Sequence, residues 1–215
     1  MKALFAATLA IFLLSSPAAQ AQGGSREAAA QALARTDARV RRDAAVRLGE
    51  VGTMADAPLL VKALADDDED VRDRAEQALW RVWGRSGDKE VDELYQLGVA
   101  QMSAGDLQQS IETFTRVIRA RPDFAEGWNK RATLYFLAGE LRKSLADCDE
   151  VIKRNPYHFG ALAGYAQIYA RLGSFDRALE YSRRALKVNP NMEGVRRNID
   201  LLEHLLEQQR RQSGA

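Results

Sequence analysis

Proline returns every 34 residues through the C-terminal half of this 215-residue chain, at Pro122, Pro156 and Pro190. The same step carries Gly105 to Gly139 and Gly173, Ile111 to Leu145 and Leu179, and Ile118 to Ile152 and Leu186. A fixed period of this length restricts a chain to folds in which one small unit is copied and stacked on its neighbours. Apolar residues fall at helical spacing on both sides of the first glycine, as in Leu94 and Leu97, then Ile111, Phe114, Val117 and Ile118. Each unit therefore reads as helix, tight turn, helix. Glycine ends the first helix because it accepts a positive φ. The polar residue after it, Asp106, Glu140 or Ser174, stands where a side chain can cap the second helix. Proline closes the unit, since it cannot continue a helix interior yet fits the first turn of the next helix.

These residues resemble the tetratricopeptide repeat family, whose unit of about 34 residues follows a W-x2-L-G-x2-Y, A, F and P pattern. The opening large residue is present as Leu94, Trp128 and Leu162, and the small residue four later as Gly98, Ala132 and Ala166. Tyr135 and Tyr169 fit the tyrosine slot, which Gln101 departs from. In the second helices the small slot holds Ser110, Ser144 and Ala178, and the aromatic slot Phe114, Cys148 and Ser182. Three such units are assigned to residues 91–190. The segment 191–211 carries Val195, Ile199, Leu202 and Leu206 on one helix face, as expected of a capping helix that covers the open end of a repeat array.

A second period lies upstream. "VRRDAAVRLGEVG" at Val40 returns 31 residues later as "VRDRAEQALWRVWG" at Val71, with a short helix and the acidic run "DDDED" between them. This resembles short-period HEAT repeats over about residues 37–83, and a HEAT-like array is assigned to 25–86. The expected fold is all-α: a solenoid of antiparallel helix pairs, HEAT-like first, then three tetratricopeptide units and a capping helix. The stretch "GRSGDKE" marks the boundary between the arrays, and Trp80 and Trp83, three apart on one helix, are expected to bury themselves at a packed junction.

The opening "MKALFAATLAIFLLSSPAAQAQ" has a lysine, an apolar run and an A-x-A site at Ala19 and Ala21, which reads as a secretory signal over residues 1–21. Cleavage after Ala21 leads to the expectation of a periplasmic or secreted mature protein with no integral membrane span. The net charge of +1 and the lack of an arginine cluster interleaved with aromatics argue against a nucleic-acid partner. One cysteine, Cys148, excludes an intramolecular disulfide, and its packing position suggests a buried, unreactive thiol.

No catalytic or metal-binding constellation is legible, so no cofactor and no enzymatic activity are expected. The two histidines read as surface residues, His158 at a turn and His204 on the capping helix. Asp66 to Asp70 read as helix-capping carboxylates, because Val71 stands where a calcium loop needs glycine. Asp147 with Glu150, and Glu203 with Glu207, read as solvated faces.

The family resemblance implies that the first helices line a concave groove that receives a peptide or helix. The corresponding places are Tyr95, Val99 and Met102 in the first unit, Asn129, Thr133 and Phe136 in the second, and Ala163, Gln167 and Ala170 in the third. Gly160, Ala163 and Gly164 leave room there for a bulky group. Family members that grip a partner's C-terminal carboxylate do so with cations and amides at places held here by Tyr95, Val99, Lys130, Gly160 and Gly164, so that clamp is essentially missing. The reading that results is an exported, non-enzymatic adaptor or scaffold that binds a peptide or helix of an envelope protein. The alternatives are a periplasmic chaperone, or a ligand-binding or enzymatic protein with a site at the junction of the two arrays.

Overall fold

The computed structural model describes residues 17–213, where every regular element is a helix. Residues 1–16, most of the expected signal segment, lie outside the described residues. The bond after Ala21 falls within the first described helix, α1 (Pro17–Ala32).

The HEAT-like part continues with α2 (Ala38–Val51), a 3-10 turn (Met54–Asp56), α3 (Ala57–Ala63) and α4 (Glu69–Trp83). Leu48, Leu60, Leu64, Ala75 and Leu79 are fully enclosed between them. Gly49 permits the closest approach, since a Cβ there would sit 3.1 Å from the Ala78 Cα on α4. The acidic run is absorbed locally. Asp68 accepts from the Val71 amide and caps α4, while Asp66 takes both arms of the Arg41 guanidinium at 2.7 and 2.8 Å. Arg42 pairs with Asp68 and Asp70. Arg85 donates to the carbonyls of Gly49 and Gly52, each at 2.7 Å, and so satisfies the C-terminal end of α2.

The repeats follow as three helix pairs: α5 (Lys89–Ala104) with α6 (Leu107–Ala120), α7 (Ala125–Leu137) with α8 (Leu141–Arg154), and α9 (Phe159–Arg171) with α10 (Phe175–Val188). The glycine turns hold φ of 83°, 78° and 72° at Gly105, Gly139 and Gly173. In each, the amide just after glycine reaches back to the carbonyl five residues before it, Asp106 to Gln101, Glu140 to Tyr135 and Ser174 to Tyr169. Side-chain capping by Asp106, Glu140 and Ser174 does not occur. That tight bond holds their ψ at 66°, 58° and 68°, whereas Asp37, Asp68 and Asp88, which do cap with their side chains, are extended with ψ of 117°, 125° and 120°.

The small-residue slots bind each pair together. Ser110 donates to the Gly98 carbonyl at 2.9 Å and Ser144 to the Ala132 carbonyl at 2.7 Å, both buried. Phe114 lies so close to Gly98 that a Cβ there would be 2.8 Å from the ring. Asp147 is not a solvated carboxylate. It is buried and takes a bidentate pair from Arg131 at 2.7 and 2.8 Å, which ties α7 to α8. The final helix, α11 (Glu193–Ser213), packs on α10 with Leu202 and Leu206 buried.

The two arrays meet along an edge. The end of α4 packs against the turn that opens the third repeat. Trp80 and Trp83 surround His158 and Phe159, with ring centroids 4.7 to 5.5 Å apart. Further along the same edge, Asn189 donates to Glu76 at 2.9 Å and Asn191 to the Leu64 carbonyl at 2.7 Å. The expected tryptophan-lined junction is present, but it lies against the third repeat and not against α5.

Candidate functional site

The groove positions divide into two groups. Asn129, Thr133 and Phe136 on α7 and Gln167 on α9 line one small pocket of about 60 Å³, together with Gly160 and Gly164. Helical spacing explains this: the α7 residues lie four and three apart on one face, and the 34-residue period carries that face to α9. Gln167 is exposed and free to meet a partner's backbone, whereas Asn129 is half-buried and donates to Glu126 at 3.1 Å. Arg171 lies over the Phe136 ring, 5.3 Å from its centroid. Ala163 and Gln167 also border a second, mainly apolar recess of about 330 Å³, closed on its far side by Val195, Leu201 and Leu205 of α11. The groove thus continues from α7 across α9 to the last helix.

The first repeat contributes less than expected. Tyr95 is only 6% exposed and packs edge-on against Phe114 and Phe124, in the core of that repeat. Val99 and Met102 are half-buried against the same cluster. The cause is the small partner slot. Gly98 draws Phe114 inward, and the Tyr95 ring fills the space beside it. Burial and the neighbouring Glu126 charge push the Tyr95 phenol well above its ordinary pKa, so it stays neutral.

Beneath the groove lies a polar group that sequence reasoning missed. Glu126 is 2% exposed and His158 fully enclosed, with the imidazole Nε2 2.8 Å from the Glu126 carboxylate. His158 is therefore a core residue and not a surface one. Its Nδ1 accepts from the Ala161 amide at 3.0 Å, so the proton sits on Nε2 and is donated to Glu126. Lys130 adds an ammonium 3.1 Å away. Burial alone would raise the Glu126 pKa. The His158 and Lys130 contacts outweigh it and hold the carboxylate at about 2. The only advance signal was that both residues fall beside the repeat prolines.

Lys130, the one cation at a clamp position, is thus committed to an internal carboxylate. Cys148 lies under the groove as a buried thiol whose pKa burial pushes up to about 12, which leaves it unreactive as a nucleophile. Among the described residues no cluster of metal-ligating side chains forms, and no helix is long and apolar enough to cross a membrane.

A helical-repeat protein with a shallow, partly apolar groove on its first-helix row is the class these features define. Family comparison agrees: a HEAT-repeat model matches residues 5–80, and a tetratricopeptide-repeat model matches 95–159 and again 138–193. The chain is built from HEAT and tetratricopeptide repeats. A TPR repeat-containing protein of Rhizobium etli is 32% identical over 124 residues, 58% of this chain and 61% of its own, so the chain spans less than two thirds of that relative. Among solved structures, the first TPR of Spaghetti (RPAP3) bound to an HSP90 peptide superposes with a TM-score of 0.54 at 19% identity, covering 56% of this chain and 96% of that one. The TPR2B domain of yeast Sti1, in its pHsp70 complex, gives 0.51 at 23% identity over 57% of this chain and 99% of that one. At these identities the likeness is one of fold.

Proposed function

We propose that this chain is an exported, non-enzymatic adaptor that takes a peptide or helix of an envelope protein into the groove between α7, α9 and α11. The observation that carries the reading is the convergence of Asn129, Thr133, Phe136 and Gln167 on one pocket that opens toward the apolar recess beside α11. An exposed amide can bond an extended backbone, and an apolar recess next to it can hold a side chain. That combination is what peptide-recognition surfaces use. The solved relatives captured with HSP90 and Hsp70 segments support peptide binding as the general use of such an array.

The partner is expected to present an internal segment and not a carboxylate end. Gly160 and Gly164 carry no charge, and Lys130 is held by Glu126. Export rests on the lysine, apolar run and A-x-A site of residues 1–21. A pull-down from envelope extract with the native chain and with a Phe136→Ala, Gln167→Ala double variant tests the reading. One stoichiometric partner lost in the variant supports an adaptor. Many weakly held clients would indicate a chaperone, and a partner retained by the folded variant would move the site off this groove.

A further inference from the structure

The helices α7, α9 and α11 begin at Ala125, Phe159 and Glu193, each 34 residues after the last, so α11 takes the place of a fourth first helix. One period beyond the groove places Ala163, Gln167 and Ala170 stand Arg197, Leu201 and His204. The structure agrees with that register. Leu201 is 56% exposed, and with Leu205 it walls the recess of about 330 Å³ that Ala163, Gln167 and Ala170 border from α9. The turn glycines Gly139 and Gly173 give way to Glu207, and α11 runs on as one helix of 21 residues. The last helix therefore caps the array and also supplies a fourth row to the groove.

None of the groove places on α5, α7, α9 or α11 holds a carboxylate, although acids and bases are nearly equal in the chain, 30 against 31. At the recess end the charge is positive. Arg171, one turn beyond Gln167, lies over the Phe136 ring and donates to the Phe136 carbonyl at 3.3 Å, both neutral, and forms no ion pair among the described residues. Arg197 meets Glu193 of its own helix at 3.6 Å, both largely exposed, a kind of pair that contributes little and exchanges readily. Glu203 and Glu207, on either side of Leu205, are matched by Arg183 of α10 at 2.7 Å and by Arg211. Asp200 takes the small-residue place of Ala132 and Ala166, on a different face of its helix. We propose that the groove takes an internal, acidic amphipathic segment, with a large apolar side chain in the recess beside Leu201 and a nearby Asp or Glu on Arg171. A guanidinium meets a carboxylate with two parallel donors, whereas a basic segment would face two like charges. This inference rests on the peptide-binding reading above and adds the chemistry of the partner, with Arg171 as the residue that selects it.

The probe is a random dodecapeptide library, displayed on mRNA and selected against the immobilised chain. The expected consensus pairs Leu, Ile, Met or Phe with Asp or Glu within four positions. A fluorescein-labelled representative should bind Arg171→Glu about tenfold or more weakly, and Leu201→Ala about fivefold more weakly, by anisotropy. Replacing the acid of the peptide by its amide should cost about fivefold on the native chain and nothing on Arg171→Gln, because the charge it would meet is gone. A consensus without an acid, or a peptide that Arg171→Glu binds as tightly as the native chain, overturns this inference. The groove reading survives that result if the Phe136→Ala, Gln167→Ala double variant loses the peptide. No enriched consensus on the native chain, or a peptide that the folded double variant and Leu201→Ala bind with unchanged affinity, overturns both. Should Arg171→Glu fail to fold, the amide peptide measured on the native chain and on Arg171→Gln decides the matter.

Discussion

The imidazole of His158 stacks on the indole of Trp83, ring centroids 4.7 Å apart and planes inclined by 22°. This contact joins the last HEAT-like helix to the start of the third tetratricopeptide unit, and it places the N-terminal array along the edge of the repeats. His158 serves three neighbours at once: Trp83 by its face, Ala161 by Nδ1 and Glu126 by Nε2. The junction, the start of α9 and the floor of the groove are mechanically one unit, with consequences for several substitutions.

Gly160→Ala tests the junction. A Cβ there would lie 2.6 Å from the far edge of the Trp80 indole, a rigid ring held by Trp83 and Phe159. Overpacking of this kind costs about 1 to 3 kcal/mol. The expected outcome is a lower melting temperature and a changed near-ultraviolet dichroism of the tryptophans, with helical content retained. An unchanged tryptophan signal would mean that the two arrays are not docked in this way.

Acid should weaken the fold through Glu126. Its folded pKa of about 2 lies below the ordinary 4.5, so its contribution is complete above the ordinary value and is lost as pH falls from about 4.5 toward 2. Glu126→Gln is expected to lower the urea midpoint near neutral pH and to flatten its decline on acidification. A variant whose midpoint falls with acid as steeply as that of the native chain would assign the acid sensitivity to other carboxylates.

Tyr95 and Gln167 separate packing from recognition. Tyr95→Ala empties a core position and should cost about 3 to 5 kcal/mol, as large aromatic truncations do. Gln167→Ala, on an exposed side chain, should change stability by no more than about 0.5 kcal/mol. Thermal melts of the two variants check this directly. If Gln167→Ala also weakens partner binding by about 1 kcal/mol or more, the residue is a recognition group and not a structural one.

Truncation before Glu193 removes α11 and uncovers α10. Leu202 and Leu206, both buried, contribute about 1.5 to 3 kcal/mol each on burial. The truncated chain is expected to lose several kcal/mol and to self-associate, as seen by light scattering alongside urea denaturation. A monomeric truncated chain with an unchanged midpoint would show that the helix is dispensable for stability.

Export makes a separate expectation: protein recovered from its source cell should begin at Gln22 by mass spectrometry. A chain still carrying Met1 would set the periplasmic reading aside.

What the sequence determined by itself was the repeating unit. Gly105, Gly139 and Gly173 fix the turns, and the apolar spacing around them fixes which helix faces meet, because each repeat packs on its immediate neighbours and the same local rule is written three times. The convergence of Asn129, Thr133, Phe136 and Gln167 follows from that period, which is why it was legible. Tertiary structure decided what no period encodes. Tyr95 went into the core because Gly98, one small residue in its own helix, let Phe114 move inward. Glu126 and His158, 32 residues apart, met because both open a helix on the same edge. Trp83 reached His158, 75 positions further along the chain, a contact between two unlike arrays. Local propensity and nearest-neighbour patterning carry no information about such a pair, since the free energy that selects it comes from burying aromatic surface that both arrays otherwise leave exposed.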